Sequence, residues 1–311
     1  MVKTIIVTGG AGFIGSHLCE WLCESNHVTC VDNLVTGRKE NIKLLLRNPN
    51  FTFVEHDVSK PFRVQGPVDQ IYHLSSPASP IDYQKLPIET MMVNSVGTKN
   101  MLDLANEKRA RILIASTSEV YGDPEKHPQS EDYWGRVNPI GPRSCYDESK
   151  RFAEALAMAY CKTHYLDVKI ARIFNTFGPR MRSNDGRVIP NFVTQALKNE
   201  DITVYGDGKQ TRSFCYITDL VDGLIKLMES GKSGEIMNLG NPDERQVIDV
   251  AKTIKELTNS SSKIVFMPLP KDDPTRRKPD IRRAKEKLNW EPRVAFESGL
   301  KKTIDWFKGN E

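Results

Sequence analysis

Two short stretches of the chain carry side chains at a spacing that suits acid–base chemistry. Residues 116–122 read STSEVYG, directly after the apolar run RILIA, and place Glu119 among hydroxyl side chains. Tyr146 and Lys150 are four residues apart, so on a helix both side chains point to one face. A tyrosine with an ordinary pKa of about 10 is a weak base at neutral pH, but an adjacent ammonium group favours the phenolate. Tyr146 is therefore predicted to take a proton from a hydroxyl group.

The elements that must position these residues alternate between strands and helices. Strand-like runs cover 4–8, 27–32, 51–57, 70–74, 111–116 and 168–174, and helical patterns cover roughly 88–107 and 146–163. An apolar stripe in the first helix recurs at Ile14, Leu18, Trp21 and Leu22. The alternation predicts a parallel sheet with helices on both faces. Glu119 then follows the carboxyl end of a strand, where such sheets bind ligands, and it could be an acid, a base, a metal ligand or a solvated loop residue.

A glycine-rich turn, GGAGFIG, lies between the first strand and the first helix. Such a turn lets the backbone approach a pyrophosphate, whose charge is held by the N–H groups of the helix N-terminus. Asp32 ends the second strand about 20 residues further on, where a ribose hydroxyl is bound in dinucleotide sites. The spacing predicts a dinucleotide site, and the carboxylate favours NAD because it would repel a 2′-phosphate. Arg38 and Lys39 are interpreted as solvated loop residues, and Asp57 as an adenine contact or a plain strand-end residue.

After about residue 175 the glycine- and proline-rich turns become frequent. Helical patterns between them cover 190–199, 218–229, 246–258 and 298–307. The predicted fold class is α/β, a Rossmann-type doubly wound parallel sheet with a smaller C-terminal α/β substrate domain. The dinucleotide-binding domain is predicted to cover 1–174 with parts of about 214–240, and the substrate domain 175–213 and 241–311.

Composition excludes several classes of protein. Apolar residues make up 39% of the 311 and charged residues 27%, as in globular enzymes, and a dispersed net charge of +4 gives no nucleic-acid-binding stripe. The six cysteines form no CxxC pair, which favours reduced thiols and disfavours structural zinc, and no metal site is predicted. No apolar run reaches the ~18 residues that would span a bilayer, so no membrane contact is expected. A cytoplasmic protein is predicted; the alternative is a Golgi-lumenal catalytic domain lacking its membrane anchor.

The motifs resemble those of the extended short-chain dehydrogenase/reductase family, in its nucleotide-sugar-modifying branch. The resemblance is carried by GGAGFIG, Asp57, the YxxxK of Tyr146 and Lys150, and RIFNTFGPR at 172–180. It implies that Lys150 also holds the nicotinamide ribose, that Thr117 bonds the substrate oxygen, and that the chain forms a homodimer through the helices near 88–107 and 146–163. The residues it implies for NAD binding are Gly9, Gly12, Phe13, Ile14, Gly15, Asp32, Asp57, Tyr146 and Lys150.

The residues at the positions of Thr117, Ser118 and Glu119 differ between the enzymes of this branch and so indicate which reaction each one catalyses. The related dehydratases usually have Thr-Asp-Glu, in which the aspartate is the acid for the leaving hydroxyl, and epimerases usually have small residues there. This chain keeps the glutamate and lacks the aspartate, which fits the loss of carbon dioxide from a UDP-glucuronate oxidised at C4. Thr117 and Tyr146 would stabilise the enolate at O4, Glu119 would protonate C5 directly or through water, and NADH would return the hydride to C4.

Longer stretches resemble the UDP-glucuronate decarboxylases in particular. They are HLSSPASP (73–80), VYGDPEKHPQSEDYWG (120–135), NPIGPRSCYDESKR (138–151) and RKPDI (277–281). The resemblance gives Arg277, rather than its neighbour Arg276, a catalytic role as a clamp for a carboxylate or diphosphate. The residues it implies for UDP-sugar binding are Tyr83, Ser118, Asn175, Tyr205, Arg212 and Arg277. A 4,6-dehydratase or 4-epimerase on the same scaffold is the alternative, and a non-catalytic NAD-binding regulator is a third possibility.

Overall fold

A parallel sheet of seven strands organises the chain, as a computed structural model shows for residues 2–269 and 276–310. The strands in this part of the chain are β1 (Thr4–Thr8), β2 (His27–Asp32), β3 (Phe51–Glu55), β4 (Gln70–His73), β5 (Arg111–Thr117), β6 (Val168–Ile173), β7 (Thr176–Phe177), β8 (Ile202–Tyr205), β9 (Thr211–Ser213), β10 (Cys215–Tyr216), β11 (Glu235–Leu239), β12 (Glu244–Gln246), β13 (Ile264–Met267) and β14 (Arg276–Arg277). The sheet has the order β3-β2-β1-β4-β5-β6-β11, and every pairing in it is parallel. The strand order reverses between β1 and β4, which opens a crevice at their carboxyl ends.

Helices cover both faces of the sheet. They are α1 (Phe13–Leu22), α2 (Pro80–Lys85), α3 (Pro87–Met92), α4 (Thr98–Lys108), α5 (Ser144–His164), α6 (Val188–Leu197), α7 (Ile217–Ser230), α8 (Val247–Thr258), α9 (Arg282–Leu288) and α10 (Phe296–Asn310). Because side chains alternate along a strand, Ile5 and Val7 face the layer that contains α1 and α7, whereas Ile6 faces α4 and α5. The predicted fold class is confirmed, and each predicted strand and helix is present with shifts of a few residues at its ends.

The second half of the chain builds small sheets beside the carboxyl edge of the large one. β8 pairs with β13, β7 pairs with β10, and β9 lies between β12 and β14. One hydrophobic core runs from α1 and α7 into α6, α8 and α10, so the two halves share buried side chains. The domain boundaries given by the sequence stay a prediction.

One residue of the apolar stripe on α1 was assigned wrongly. Leu18 and Leu22 are buried against the sheet, but the Trp21 side chain is 48% exposed. The buried face of α1 passes through Gly15, Leu18, Cys19 and Leu22, and Trp21 lies at its edge. In the described ranges, no helix combines the length and apolar character required to cross a membrane.

Candidate active site

A cavity of about 950 Å³ lies at the carboxyl edge of the large sheet, and both halves of the chain line it. Its wall includes all the residues that the sequence assigned to a site: Gly9, Gly12, Phe13, Ile14, Gly15, Asp32, Asp57, Tyr83, Thr117, Ser118, Glu119, Tyr146, Lys150, Asn175, Tyr205, Arg212 and Arg277. A single concave space therefore brings these side chains together, while their individual roles stay predictions. In the described part of the chain, no group of three His, Cys, Asp or Glu side chains is arranged to hold a metal ion.

The glycine turn has a geometry that other residues could not adopt. Gly9 has φ of +69°, and its N–H donates to Val31 O at 2.8 Å. A Cβ on Gly15 would lie only 2.1 Å from Gly9 O. Gly12 is extended and provides no side chain to cap α1. The first N–H groups of α1 consequently keep their donor capacity at the cavity edge, as a dinucleotide diphosphate requires.

Asp32 is held in place at the end of β2 by backbone donors. Ala11 N donates to one carboxylate oxygen at 3.0 Å and Leu34 N to the other at 2.8 Å. Burial raises the pKa of Asp32, and these two hydrogen bonds oppose the rise. Each oxygen retains a lone pair for a ribose hydroxyl, so the site fits NAD.

The two basic residues after Asp32 differ from each other. Lys39 is exposed and pairs with Glu55 at 2.9 Å, as expected for a solvated loop. Arg38 is partly buried, and its Nε has no hydrogen-bond partner within the described ranges. The Nε of Arg38 is shielded from water, so the interpretation of Arg38 as a fully solvated loop residue was wrong. Asp57 accepts a hydrogen bond from Ser59 N at 2.9 Å, which shapes the turn after β3 and leaves the adenine contact a prediction.

Tyr146 and Lys150 lie near the start of α5, and both side chains are buried. Lys150 Nζ donates to Ala115 O at 2.9 Å and lies 5.9 Å from the centroid of the Tyr146 ring. Burial lowers the pKa of Lys150 to about 8, against the opposing effect of Glu154. Burial raises the pKa of Tyr146, and a hydrogen bond from the Thr117 hydroxyl opposes that rise. β5 and α5 thus bring a hydroxyl, a phenol and an ammonium to one point.

Glu119 lies in a short 3-10 turn, Ser118–Tyr121, that directly follows β5. Its Oε2 accepts hydrogen bonds from Arg143 at 2.6 Å and from Arg277 at 3.4 Å. Burial alone would raise the pKa of Glu119, but the charges of Arg143 and Arg277 outweigh it and lower the pKa to about 2. Glu119 is therefore ionised at neutral pH and bears no proton of its own to donate.

Arg277 fastens the turn that carries Glu119. The pairing of β14 with β9 places Arg277 beside Arg212. Only 1% of the Arg277 side chain is exposed, whereas its neighbour Arg276 is an exposed residue. Its guanidinium donates to Ser118 O and, at 3.0 Å, to Gly122 O. Its Nε is buried without a partner in the described chain. The predicted substrate clamp stays a prediction.

Tyr83 of α2 forms the wall behind Tyr146. The two rings are parallel within 4°, with centroids 5.0 Å apart. The Tyr83 hydroxyl is buried and makes no hydrogen bond within residues 2–269 and 276–310. The stack limits the rotation of Tyr146, and the predicted contact of Tyr83 with a sugar stays a prediction.

The remaining substrate-side residues line the part of the cavity that the second half contributes. Tyr205 is partly exposed at the end of β8, and Gln210 Nε2 donates to its carbonyl at 2.6 Å. Asn175 accepts a backbone hydrogen bond from Cys215 at 2.9 Å, and Arg212 donates to Thr211 O at 2.9 Å. These contacts fix the backbone around the cavity and leave the predicted sugar-nucleotide contacts of the side chains untested.

Sequence reasoning missed three charged residues at this site. Arg143 and Arg187 both line the cavity, and Arg187 makes a two-point ion pair with Asp185 at 2.5 and 2.8 Å. Asp147 is buried next to Tyr146. Arg143 lies within NPIGPRSCYDESKR (138–151), three residues before Tyr146, and this position was an available signal for one of them.

The fold and the cavity define a dinucleotide-binding α/β protein with a tyrosine–lysine pair at the ligand edge. The family model described as GDP-mannose 4,6 dehydratase matches residues 6–303. The chain is 56% identical over 307 residues to UDP-glucuronic acid decarboxylase 1 of Xenopus tropicalis. The aligned region covers 98% of this chain and 72% of that relative. It is 54% identical over 298 residues to UDP-glucuronic acid decarboxylase 3 of Arabidopsis thaliana. That alignment covers 95% of this chain and 86% of the relative.

Solved structures share the whole fold. A UDP-N-acetylglucosamine 4-epimerase from Methanobrevibacter ruminantium superposes with a TM-score of 0.92 at 26% identity, over 100% of this chain and 99% of that one. The dTDP-glucose 4,6-dehydratase DesIV from Streptomyces venezuelae, solved with NAD bound, superposes with a TM-score of 0.90 at 28% identity. The superposition covers 99% of this chain and 97% of that chain. The chain belongs to the extended short-chain dehydrogenase/reductase family.

Proposed function

We propose that the chain is an NAD-dependent UDP-glucuronate decarboxylase that converts UDP-glucuronate to UDP-xylose through a 4-keto intermediate. The observation that carries the proposal is Glu119, held as a carboxylate by Arg143 and Arg277 next to Thr117 and Tyr146. An ionised carboxylate with serine as its neighbour offers no acid for expelling a hydroxyl group, whereas loss of carbon dioxide needs no such acid. The relatives at 54–56% identity are decarboxylases by name, which supports the same reaction.

NAD is the cofactor that fits the glycine turn and Asp32. The α1 N-terminus would hold the diphosphate, and Asp32 would hold the adenosine ribose. When bound, NAD supplies the reversible hydride acceptor at C4. Lys150 is proposed to hold the second ribose, and the position of its Nζ at the cavity wall, where it donates to Ala115 O, supports this role.

Tyr146, Lys150 and Thr117 would handle the proton and the oxygen at C4. The Lys150 ammonium favours the Tyr146 phenolate, which accepts the proton of the C4 hydroxyl. After carbon dioxide has left, negative charge develops on O4, and the Thr117 and Tyr146 hydroxyls are placed to donate to it. Donors of this kind each contribute roughly 10²- to 10³-fold to rate.

The sugar nucleotide would span from this centre into the second half of the chain. Ser118, Tyr83 and Arg277 are proposed to contact the sugar, and Asn175, Tyr205 and Arg212 the uridine diphosphate. All six line the same cavity, which supports one continuous binding site. We also propose the domain division given by the sequence, with 1–174 and parts of about 214–240 for NAD and 175–213 and 241–311 for the sugar nucleotide.

A homodimer and a reducing, cytoplasmic environment complete the proposal. Met91 on α3 and Phe152 on α5 are 47% and 50% exposed, and an apolar surface on neighbouring helices fits a second copy of the chain. Sedimentation analysis tests the dimer, and a monomer at micromolar concentration contradicts it. All six cysteines are unpaired, which supports the cytoplasm over the Golgi lumen.

The reaction is tested by incubating the protein with NAD and either UDP-glucuronate or UDP-glucose, followed by mass spectrometry. UDP-xylose from UDP-glucuronate, with no product from UDP-glucose, is expected. A dehydrated sugar from UDP-glucose, or a product with the mass of UDP-glucuronate but a different retention time, would instead identify a dehydratase or an epimerase.

A further inference from the structure

One buried acid next to the catalytic tyrosine has no role in the reaction described so far. Asp147 follows Tyr146 in the first turn of α5, is only 6% exposed and is not among the residues that line the cavity. Its Oδ1 is buried and accepts no hydrogen bond from any residue that the structure describes. A buried carboxylate oxygen without a donor is unfavourable when it is charged, so the geometry favours the protonated acid.

Titratable and charged groups surround Asp147. The phenols of Tyr83 on α2 and Tyr146 on α5 and the Cys145 thiol interact with it. Glu119 in the turn after β5 and Glu148 on α5 are negative, whereas Arg143 before α5 and Arg277 of β14 are positive. Burial raises the pKa of Asp147 most, the charge of Glu119 adds to the rise, and the two arginines oppose it, leaving a pKa of about 8. Asp147 consequently holds a proton at neutral pH, while Glu119 does not.

Arg143 acts on both acids. Its side chain donates to Glu119 at 2.6 Å, and its charge opposes the rise in the pKa of Asp147. The hydrogen bond of 3.0 Å from Asp147 N to Arg143 O belongs to the backbone of the first turn of α5. The proposed reaction needs one proton at C5 after carbon dioxide has left. Glu119 lines the cavity but is ionised, and Asp147 is protonated but lies behind the wall.

We infer that Asp147 is a positioning residue that supplies, through Glu119, the proton that C5 takes up after decarboxylation. This inference rests on the proposed function. The electron pair of the broken C5–carboxylate bond is held in the enolate, and it forms the new C5–H bond. Glu119 passes a proton to C5 as it receives one from Asp147 through a bridging water. Asp147 becomes a carboxylate and regains its proton from solvent, so no oxidant or reductant is consumed.

The test compares Asp147→Asn, which cannot release a proton, with Asp147→Glu and with Glu148→Gln as a matched control on the same helix turn. Glu148 pairs with Arg151 at 3.5 Å and is partly exposed. Each variant is given UDP-glucuronate and NAD, and carbon dioxide, NADH and UDP-sugars are measured. Asp147→Asn should release carbon dioxide at close to the wild-type rate. It should form UDP-xylose at least about tenfold more slowly, while NADH accumulates together with the enolate. The enolate is recovered as the 4-keto pentose, because it takes a proton from solvent once it is released.

Two further results complete the test. Asp147→Glu should restore the share of UDP-xylose, and Glu148→Gln should leave it at the wild-type value. If Asp147→Asn does not fold, the test uses the wild-type protein at a series of pH values. The share of UDP-xylose among the oxidised products should fall as pH rises through about 8, because Asp147 then loses its proton. Lys150 also titrates near pH 8, so the same profile is measured for Asp147→Glu: a midpoint set by the acid at position 147 moves in this variant, whereas a midpoint set by Lys150 does not.

The outcomes separate the two proposals. A wild-type protein that releases no carbon dioxide from UDP-glucuronate overturns the proposed function. A wild-type protein that forms UDP-xylose, together with an Asp147→Asn variant that keeps the same product share, overturns the role of Asp147 alone. A wild-type share that stays constant from below to above pH 8 also overturns it.

Discussion

Arg143 donates a hydrogen bond of 2.6 Å to the carboxylate of Glu119, although the two residues are 24 positions apart in the sequence. Arg277 approaches the same oxygen from β14 at 3.4 Å. The two arginines keep the largely buried Glu119 ionised and direct its carboxylate into the cavity. Glu119 is therefore suited to passing a proton on and unsuited to storing one, which distinguishes this site from one built to expel water.

Replacing Arg143 with Gln should raise the pKa of Glu119. The wild-type pKa is about 2 because the guanidinium charges outweigh burial, and losing the nearer guanidinium should raise it by roughly 1–3 units. The acidic limb of the pH profile for UDP-xylose formation should move upward by the same amount. Arg143→Lys keeps the positive charge, so its acidic limb should lie close to the pH of the wild-type limb. Identical acidic limbs in wild type and Arg143→Gln would show that Arg143 does not set the charge of Glu119.

Two substitutions of Tyr83 should behave differently. Tyr83→Phe keeps the stack on Tyr146 and removes a hydroxyl that has no partner in the described chain, so unfolding free energy should change by less than about 1 kcal/mol. Tyr83→Ala should cost about 3–5 kcal/mol, because it leaves a cavity. Chemical denaturation measures both. An increased KM for the Phe variant, with kcat unchanged, would support the proposed sugar contact, and an equally destabilised Phe variant would contradict the packing role.

Gly15→Ala should damage the dinucleotide site. The new methyl group would lie 2.1 Å from Gly9 O, so the turn could not keep its shape, and the affinity for NAD should fall at least about tenfold. Gly309→Ala is a matched control, since no atom lies within 4 Å of its added Cβ and alanine favours a helix. Isothermal titration with NAD measures the affinity. Wild-type affinity in Gly15→Ala would contradict the proposed cofactor site.

The stability of the protein should depend on Asp147 in a defined pH window. Asp147 keeps its proton up to a pKa of about 8 when folded but loses it near its ordinary pKa of 3.8 when unfolded. The folded state is therefore penalised increasingly as pH rises between these values, by up to ~1.4 kcal/mol per pH unit. Asp147→Asn removes this penalty, so its advantage over wild type should grow from about pH 5.5 to about pH 7.5. Denaturant titrations across this range measure it, and a difference that is constant with pH contradicts the buried, protonated state.

The sequence predicted the parts of the site that depend on local order. Asp32 was found because it ends a strand, and Tyr146 and Lys150 because four residues make about one helical turn. Glu119 was located correctly at the end of β5, but its charge state depends on Arg143 and Arg277, which only the tertiary fold brings to it.

The contacts that were missed come from pairings between distant segments. Arg277 was singled out by a motif, yet its hold on Ser118 and Gly122 requires β14 to lie beside β9. Asp147 looked like an ordinary helix residue because an acid in a first turn is common, and only its burial marks it. Trp21 was misjudged because the buried face of α1 includes the small residues Gly15 and Cys19, which a stripe of large apolar side chains does not mark.

Decarboxylation is tested most directly with UDP-glucuronate labelled with carbon-13 in its carboxylate. The protein is incubated with this substrate and NAD, and the carbon-13 NMR spectrum is followed, with Tyr146→Phe as the inactive control. We predict that the label leaves the sugar as bicarbonate while UDP-xylose forms in equal amount, and that the control shows neither. Label retained in a 4-epimer of the substrate, or bicarbonate released equally by the control, would contradict the account.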